Sequence, residues 1–507
     1  VMVSVTPKPS LENAWWYKPA QSAARVLMMV RSIGISYRNL YGMSLPGFMP
    51  KIGDAFGQRT GGVMAPGLDF AFGLTGESYI DKAARNGWLL MNDSVSTPAT
   101  TNSNENLQIT ATVEPIPNLK IDLNATRTVS KAKSLQYMYA GCPTTQSGSF
   151  QMTTISISSA FTSMGDANNG YRNATFDKFL NYLDVFQQRV EKQYANAVYP
   201  ANTSMAGQPF DPANGTVNKY SSDVMIPAFL AAYCGGGTGS SLEIFPSLKR
   251  LLPNWKITYS GLMRIPWFKA HFRSFNLEHS YKSLYAVGSY NTYSSYHSYM
   301  DDLGFINDAS TGNPVPSSMY DISTVSINEA FSPLLGFSFT LKNSLSGSLK
   351  YNRTRVVTLS MTSQQITEAL SSDLVISGGY KINNLKLFGS SKKKKIISHR
   401  KKATDDNDES NDRDRDEGTI NNSLNLRADF SLRDQTALNR NILTNLSQAT
   451  SGNKAIKIAL SAEYQVSRML SLSAYYDRQT TTPLLTSSSY PTTVQDFGIG
   501  MKFSLAR

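Results

Sequence analysis

The sequence predicts an all-β protein, an antiparallel transmembrane β-barrel with a few short helices in loop insertions. Short stretches near the C-terminus alternate apolar and polar residues, and a period of two indicates β-strands because successive side chains point to opposite faces of a sheet. These stretches are about ten residues long, enough for a tilted strand to cross a bilayer. Hydrophobic residues form only 41% of the 507 residues, as expected when half of each strand faces water.

The alternating stretches place full charges on the face opposite the apolar side chains. Arg427, Asp429, Lys457, Glu463 and Lys502 occupy this polar face and suit a wet lumen. The apolar members are Leu424, Leu426, Ala428, Phe430 and Leu432; Ile456, Ile458, Leu460, Ala462, Tyr464 and Val466; Leu470, Leu472, Ala474 and Tyr476; and Phe497, Ile499, Met501 and Phe503. A large soluble antiparallel sheet protein also alternates, so this alternative remains open.

Further strands are predicted upstream. Residues 107–113 and 119–125 alternate on either side of a Pro-containing turn, which predicts a hairpin. A second tight hairpin is predicted around Lys342, Asn343 and Ser344. The remaining predicted strands are 31–42, 67–74, 149–160, 254–261, 274–292, 321–341, 345–362 and 374–387.

The predicted strand order assigns sides if the C-terminus is periplasmic. Residues 482–492, 436–452, 364–372 and 296–320 then fall outside, and the turn at 467–469 falls inside. The count becomes odd around residues 162–253, so either one strand is missed or this segment is a large insertion. Helical spacing of Phe176, Leu180, Leu183, Phe186 and Val190 after Thr175, a candidate N-cap, predicts a helix there, and a shorter one is predicted at 222–233.

These patterns divide the chain into five parts. They are 1–161, barrel strands with loops; 162–253, a partly helical insertion or cap; 254–388, barrel strands; 389–419, a disordered charged loop; and 420–507, C-terminal barrel strands. The 389–419 segment joins a run of lysines to a run of aspartates, a composition that cannot bury enough apolar area to fold. Basic residues alternate along the predicted strands or cluster in this loop, and lumenal charge is the simpler account of the net charge of +12, so no nucleic-acid partner is predicted.

The sequence predicts no catalytic, cofactor-binding or metal-binding residues. His271, His279, His297 and His399 lack metal-ligand spacing, and Gly235–Ser241 lacks the lysine of a phosphate-binding loop. Cys142 and Cys234 are too few for a disulfide framework and are predicted to be free thiols, although a pair in loops on one side of the membrane stays possible. An embedded hydrolase stays open, because catalytic triads assemble only in space.

The chain opens on Val-Met-Val-Ser-Val, without the charged and apolar regions of a signal peptide. An outer-membrane protein needs such a signal. We therefore expect the chain to be a fragment of a longer protein.

An ordered series of unusual blocks supports a family resemblance. It includes Leu45–Pro50 (LPGFMP), Ala65–Gly73 (APGLDFAFG), Ile226–Tyr233 (IPAFLAAY), Leu252–Leu262 (LPNWKITYSGL) and Phe275–Tyr281 (FNLEHSY). This series resembles the C-terminal portion of the SprA/Sov family, the outer-membrane translocon of the type IX secretion system of Bacteroidetes. The match covers nearly the whole chain, and the charged segment 389–419 is its main departure.

The resemblance implies a single-chain antiparallel barrel of very large strand number. It implies a protein-conducting channel that exports folded cargo with C-terminal secretion domains from the periplasm to the cell surface, in support of surface-protein secretion or gliding motility. The implied partners are that cargo, a PorV-like barrel shuttle protein, a periplasmic plug protein and outer-membrane lipid. It brings no catalytic residues, and an ordinary porin or a plugged receptor barrel is the alternative.

Overall fold

The computed structural model describes residues 28–51, 65–73, 75–76, 78–90, 97–137, 144–201, 203–300, 303–308, 310–383, 385, 422–466, 469–485 and 490–504. Most of these residues form antiparallel β-strands, which confirms the predicted all-β fold. The strands are β1 (Val30–Ser44), β2 (Ala99–Val113), β3 (Leu119–Leu135), β4 (Thr145–Thr153), β5 (Asn254–Tyr259), β6 (Phe272–Thr292), β7 (His297–Met300), β8 (Leu303–Asn307), β9 (Pro314–Ser318), β10 (Tyr320–Ile322), β11 (Thr324–Leu341), β12 (Leu345–Ser360), β13 (Gln365–Asn383), β14 (Ser423–Asn441), β15 (Ser447–Gln465), β16 (Leu470–Pro483) and β17 (Thr492–Phe503).

The helices are few and mostly short, as predicted. Those that lie wholly within the described residues are α1 (Leu68–Ala71), α2 (Ser78–Arg85), α3 (Ile157–Ala160), α4 (Ala174–Gln193), α5 (Ser222–Tyr233) and α6 (Pro266–His271). In the part of the chain that the structure describes, no helix combines the length and the apolarity that a membrane span requires.

The main sheet is an antiparallel meander. Its strands follow the order β1-β2-β3-β4-β6-β11-β12-β13-β14-β15-β16-β17, with β5 and β10 attached beside this path, and β7, β8 and β9 form a separate small sheet. Among the described strands the sheet does not close, and β1 and β17 are its two edges. Consecutive strands are neighbours, so each connection lies at one of the two ends of the wall.

The odd strand count predicted from sequence has a structural explanation. β4 pairs with β3 from Arg127 to Ser134, and β5 pairs with the same strand from Leu119 to Asn124. Both also pair with β6. β4 and β5 are therefore two halves of one strand position, and residues 154–253 are an insertion in the middle of that position.

Three sequence-based assignments are wrong. In the predicted strand 67–74, Leu68–Ala71 form α1 instead, because an alternation of three apolar residues between Gly67 and Gly73 is too short to decide. The Asp69–Lys82 ion pair (2.6 Å) holds this helix against α2. The strand predicted at 149–160 ends at Thr153 and is followed by α3. Most of 364–372, assigned to an outer loop, belongs to β13.

Two of the loops that the sequence analysis places on the outer side are shorter than predicted. β14 runs to Asn441 and β15 starts at Ser447, while β16 runs to Pro483 and β17 starts at Thr492. Residues 296–320 contain the small sheet β7-β8-β9. The charged segment 389–419, Cys142 and His399 lie outside the described residues.

Candidate functional site

One face of the main sheet carries an uninterrupted row of apolar side chains. Residues paired directly across antiparallel strands share a face, so the pairing identifies the row without reference to shape. It consists of Phe275, Phe339, Gly347, Gly378, Ala428, Leu460, Tyr476 and Phe497, on eight successive strand positions. Phe497, at the end of this row, is 70% exposed, and Leu460, within the row, is 45% exposed. The described residues therefore leave this part of the row uncovered.

The apolar row belongs to a taller surface, which we call the apolar band. On β14 the band extends from Leu424 to Leu432, eight steps of about 3.4 Å or about 27 Å along the strand. It continues to the other edge of the sheet, where Ile35 pairs with Ile109 and Ile109 pairs with Ala125. A height near 25 Å is typical of the lipid-facing surface of outer-membrane barrels.

The opposite face, the polar face, is dominated by hydroxyl, amide and charged groups. The row next to the apolar one consists of Asn276, Ser338, Ser348, Ser377, Asp429, Ala459, Asp477 and Asp496. Arg427, Asp429, Lys457, Glu463 and Lys502, which the sequence predicts for a lumen, all belong to this face by the same pairing. Their charges are partly balanced, since Arg427 Nε lies 2.7 Å from Asp429 Oδ2 and Lys457 Nζ 4.0 Å from Asp477 Oδ2.

Aromatic rings cluster where β6 and β11 reach the end of the wall near α6. Trp267 is 58% exposed, and its ring lies 5.0 Å from that of Phe268. Phe272 and Phe275 continue the cluster onto β6, and Phe339 contacts both from β11. The ring of Phe339 also covers Gly347, where a Cβ atom would lie 2.5 Å from it. Exposed aromatic residues at the end of an apolar band are typical of a membrane interface.

The insertion of residues 154–253, the helical insertion, packs on the same face as the apolar band. Its α4 and α5 contribute buried Phe176, Phe186 and Phe229 to a core that also contains Tyr285 of β6 and Val357 of β12. Tyr285 pairs with Ile327, and Ile327 pairs with Val357, so these wall residues share one face. Because β6 and β12 carry band residues Phe275 and Gly347 at the same parity, the insertion lies above the band and leaves the polar face uncovered.

Helix α4 begins two residues earlier than predicted. Asn173, not Thr175, is the N-cap, and its Oδ1 accepts hydrogen bonds from the backbone N–H groups of Thr175 (2.8 Å) and Phe176 (3.0 Å). Phe176, Leu183, Phe186 and Val190 are buried as their spacing predicts. The shorter helix predicted at 222–233 is α5.

Four buried charged residues on adjacent strands form what we call the ion ladder: Glu329 on β11, Arg355 on β12, Glu368 on β13 and Arg440 on β14. Each is at most 3% exposed. Arg355 Nε lies 3.8 Å from Glu329 Oε2 and 3.9 Å from Glu368 Oε1, and Arg440 Nη2 lies 3.2 Å from Glu368 Oε2. Acid and base alternate across the wall, so each charge lies beside one of opposite sign.

The ion ladder binds the backbone that leads from β4 into α4. Arg355 donates to the carbonyl oxygen and to Oγ of Ser159, and Arg440 donates to the carbonyl oxygens of Met164 and Tyr171. Ser156 Oγ donates to Glu329 Oε1 at 2.7 Å. Buried ion pairs stabilise a fold only when additional hydrogen bonds offset their desolvation, and these backbone contacts supply them. The ladder therefore fastens the helical insertion to the wall.

Residues considered for chemistry at the sequence level are dispersed. His271 Nδ1 contacts the Trp267 carbonyl oxygen at 2.8 Å, and His279 Nδ1 contacts that of Leu334 at 2.6 Å. His297 lies on β7. In the described ranges, no group of three or more His, Cys, Asp or Glu side chains could hold a metal ion.

Cys234 is a free thiol that follows α5. Burial raises the pKa of this thiol to about 11. The glycine-rich loop 235–241 begins beside it, and Arg189 Nη1 donates to the Thr238 carbonyl oxygen at 2.7 Å. A thiol with such a pKa is a poor nucleophile near neutral pH.

One buried carboxylate of the helical insertion was not found from sequence. Asp223, in the first turn of α5, is 6% exposed, and neither of its oxygens has a hydrogen-bond partner among the described residues. Burial raises the pKa of its carboxyl group. The nearby Ser221 hydroxyl lowers this pKa by less, so the net shift is upward. Because acidic residues are common in first helical turns, no sequence signal marks it.

No protein-family model matches the chain, and no curated protein matches it. Among solved structures, the β-domain of the Bordetella autotransporter BrkA is similar over 80% of this chain and 92% of that chain, at 7% identity and a TM-score of 0.21. OmpT, an outer membrane protein of Vibrio cholerae, is similar over 79% of this chain and 89% of that chain, at 10% identity and a TM-score of 0.18. TM-scores this low do not support inferences about this chain, so the fold is assigned from the strand pairing.

Proposed function

We propose that the chain forms part of the wall of an outer-membrane β-barrel and that this barrel is the protein-conducting translocon of a type IX secretion system. The observation that carries the proposal is the two-faced wall. Its apolar band is exposed and about as tall as a bilayer core, and its other face is polar. In a bilayer the edges β1 and β17 need partners, which further strands of the same barrel would supply.

The polar face suits passage of a folded protein. Serine, threonine, asparagine and glutamine predominate on it, as in the row Asn276, Ser338, Ser348 and Ser377. Such groups stay hydrated and offer a passing protein neither an apolar surface nor a large field of one sign. A barrel wide enough for folded cargo requires many strands, since barrel diameter grows with strand number.

The position of the helical insertion favours an open channel over a plugged receptor barrel. Within the described residues it packs against the apolar face, above the band, and leaves the polar face free. We propose that a separate periplasmic protein closes the channel, and that cargo with a C-terminal secretion domain leaves with the help of a barrel shuttle protein. This role requires no catalytic residue and no cofactor.

Deletion of the gene tests the role. We expect cargo with C-terminal secretion domains to accumulate in the periplasm, and we expect the protein to be extracted from membranes only by detergent. Normal cargo export together with reduced uptake of small solutes would instead identify a porin. Release of the protein without detergent would identify a soluble sheet protein.

A further inference from the structure

A cavity of about 360 Å³ opens between the helical insertion and the wall, and we call it the interface pocket. Met152 and Tyr285 line it from the wall, and Pro227, Leu230 and Ala231 line it from α5. Its volume lies within the usual range for small-molecule sites. The lining is mostly apolar, and Ser240 and Ser241 also contribute to it.

The interface pocket lies at the upper boundary of the apolar band. The insertion rejoins the wall beside it, where the Leu252 N–H donates to the Thr153 carbonyl oxygen at 3.5 Å. The chain then enters β5, whose Trp255 and Ile257 pair with Leu123 and Ile121 within the band. An acyl chain in the pocket would therefore be continuous with the surface proposed to contact lipid.

Two basic residues lie at this boundary between the interface pocket and the apolar band. Lys249 and Arg250 line the pocket from a short 3-10 turn, and neither takes part in an ion pair with another described residue. Exposed apolar side chains flank them, since Leu248 is 55% exposed and Leu252 is 41% exposed. Basic residues beside exposed apolar ones are typical of surfaces that contact charged lipid headgroups.

A second group of cations on β3 extends the basic surface along the same level. Arg127 and Lys131 occupy the face of β3 that also carries Leu123 and Ala125. Arg127 pairs with Met152 of the pocket lining. Among the described residues, the nearby carboxylates on this side are Glu105, which pairs with Val129, and Glu243, which accepts a hydrogen bond from the Ser247 N–H. Cations outnumber them.

We propose that the interface pocket binds a phosphorylated, acylated lipid of the adjoining leaflet. An acyl chain enters the cavity beside Leu230 and Ala231, and a phosphate group lies between Lys249 and Arg250. The bound lipid joins the helical insertion to the bilayer and holds it at the membrane surface. This inference rests on the proposed membrane placement but not on the translocon role.

The test uses the full-length protein in detergent micelles and diphosphoryl lipid A as the probe. We expect Lys249→Glu/Arg250→Glu to weaken binding at least tenfold. The control Lys192→Glu reverses an exposed cation of the same insertion outside the pocket and should change binding less than twofold. Ser241→Trp, which fills the cavity and leaves both cations in place, should also weaken binding at least tenfold.

Probe chemistry separates the two parts of the ligand. Lipid A without its phosphates should bind at least tenfold more weakly, and inorganic phosphate should not displace the probe. Displacement by inorganic phosphate would replace the lipid with a free anion and overturn the proposal, as would equal binding by the pocket and control variants. If the double charge reversal fails to assemble, Lys249→Gln/Arg250→Gln and Ser241→Trp decide the matter. Loss of lipid binding in a protein that fractionates normally with the outer membrane leaves the proposed function standing.

Discussion

The assignment of the two faces predicts opposite costs for a lysine at neighbouring positions of β15. Leu460 lies in the apolar band between Ala428 and Tyr476, whereas Ala459 lies on the polar face between Asp429 and Asp477. A lysine at the bilayer midplane costs about 2–4 kcal/mol on the lipid face of a barrel, or roughly 30- to 700-fold in the folding equilibrium. On the polar face the same lysine meets two carboxylates and water.

We expect Leu460→Lys to reduce the amount of protein assembled in the outer membrane and Ala459→Lys to leave it near the wild-type level. The assay is immunodetection of the full-length protein in outer-membrane fractions, with urea unfolding in lipid vesicles as the measure of stability. The two variants differ by one position and carry the same new charge, so general effects of lysine cancel. Equal loss in both variants, or a larger loss from Ala459→Lys, would refute the assignment of faces.

Three further predictions concern the helical insertion. Arg440→Ala leaves Glu368 buried without its nearest cation, at a cost of about 3–5 kcal/mol, and should make the insertion sensitive to protease, whereas Arg427→Ala on the polar face should not; equal sensitivity would contradict the ion ladder. Burial raises the pKa of Asp223 above its ordinary value of 3.8, so the stability that this carboxyl group contributes is present below pH 3.8 and is lost as the pH rises through the pKa of the folded state. Asp223→Asn should therefore raise the melting temperature at pH 7.4 but not near pH 3. An equal gain at both pH values would contradict the raised pKa. With Cys142 replaced by serine throughout, the thiol pKa of about 11 at Cys234 predicts that maleimide labels Cys234 at neutral pH roughly 100-fold more slowly than it labels Ser241→Cys in a Cys234→Ser background. Similar rates would contradict the burial of this thiol.

The strands were predictable from sequence because their pattern is local. Alternation along β14, β15 and β17 reports which residues share a face, and the pairing of Leu460 with Tyr476 follows once the strands are adjacent. The upper ends of the strands were harder to predict. From sequence alone, Glu368 in β13 is expected in a loop because it is charged. Its burial in a strand is explained only by its ion pairs with Arg355 and Arg440 on two other strands.

The helical insertion was visible in the sequence as a break in the strand count and as two helical stretches, but the way it joins the wall was not. That β4 and β5 complete one strand position depends on pairing with β3 and β6, which the sequence does not reveal locally. The interface pocket was equally hidden. Lys249 and Arg250 suggest a lipid site only because the structure places them beside the apolar band, where the insertion rejoins the wall.

Site-specific cross-linking of cargo to the wall tests the central claim most directly. A photo-activatable residue at Ser461 or Lys457 faces the proposed channel, and one at Leu460 or Ile458 faces the proposed lipid. During secretion we expect cargo with a C-terminal secretion domain to cross-link from Ser461 and Lys457 but not from Leu460 or Ile458. Cross-links from the apolar positions alone, or none from the polar positions while secretion proceeds, would contradict a protein-conducting wall.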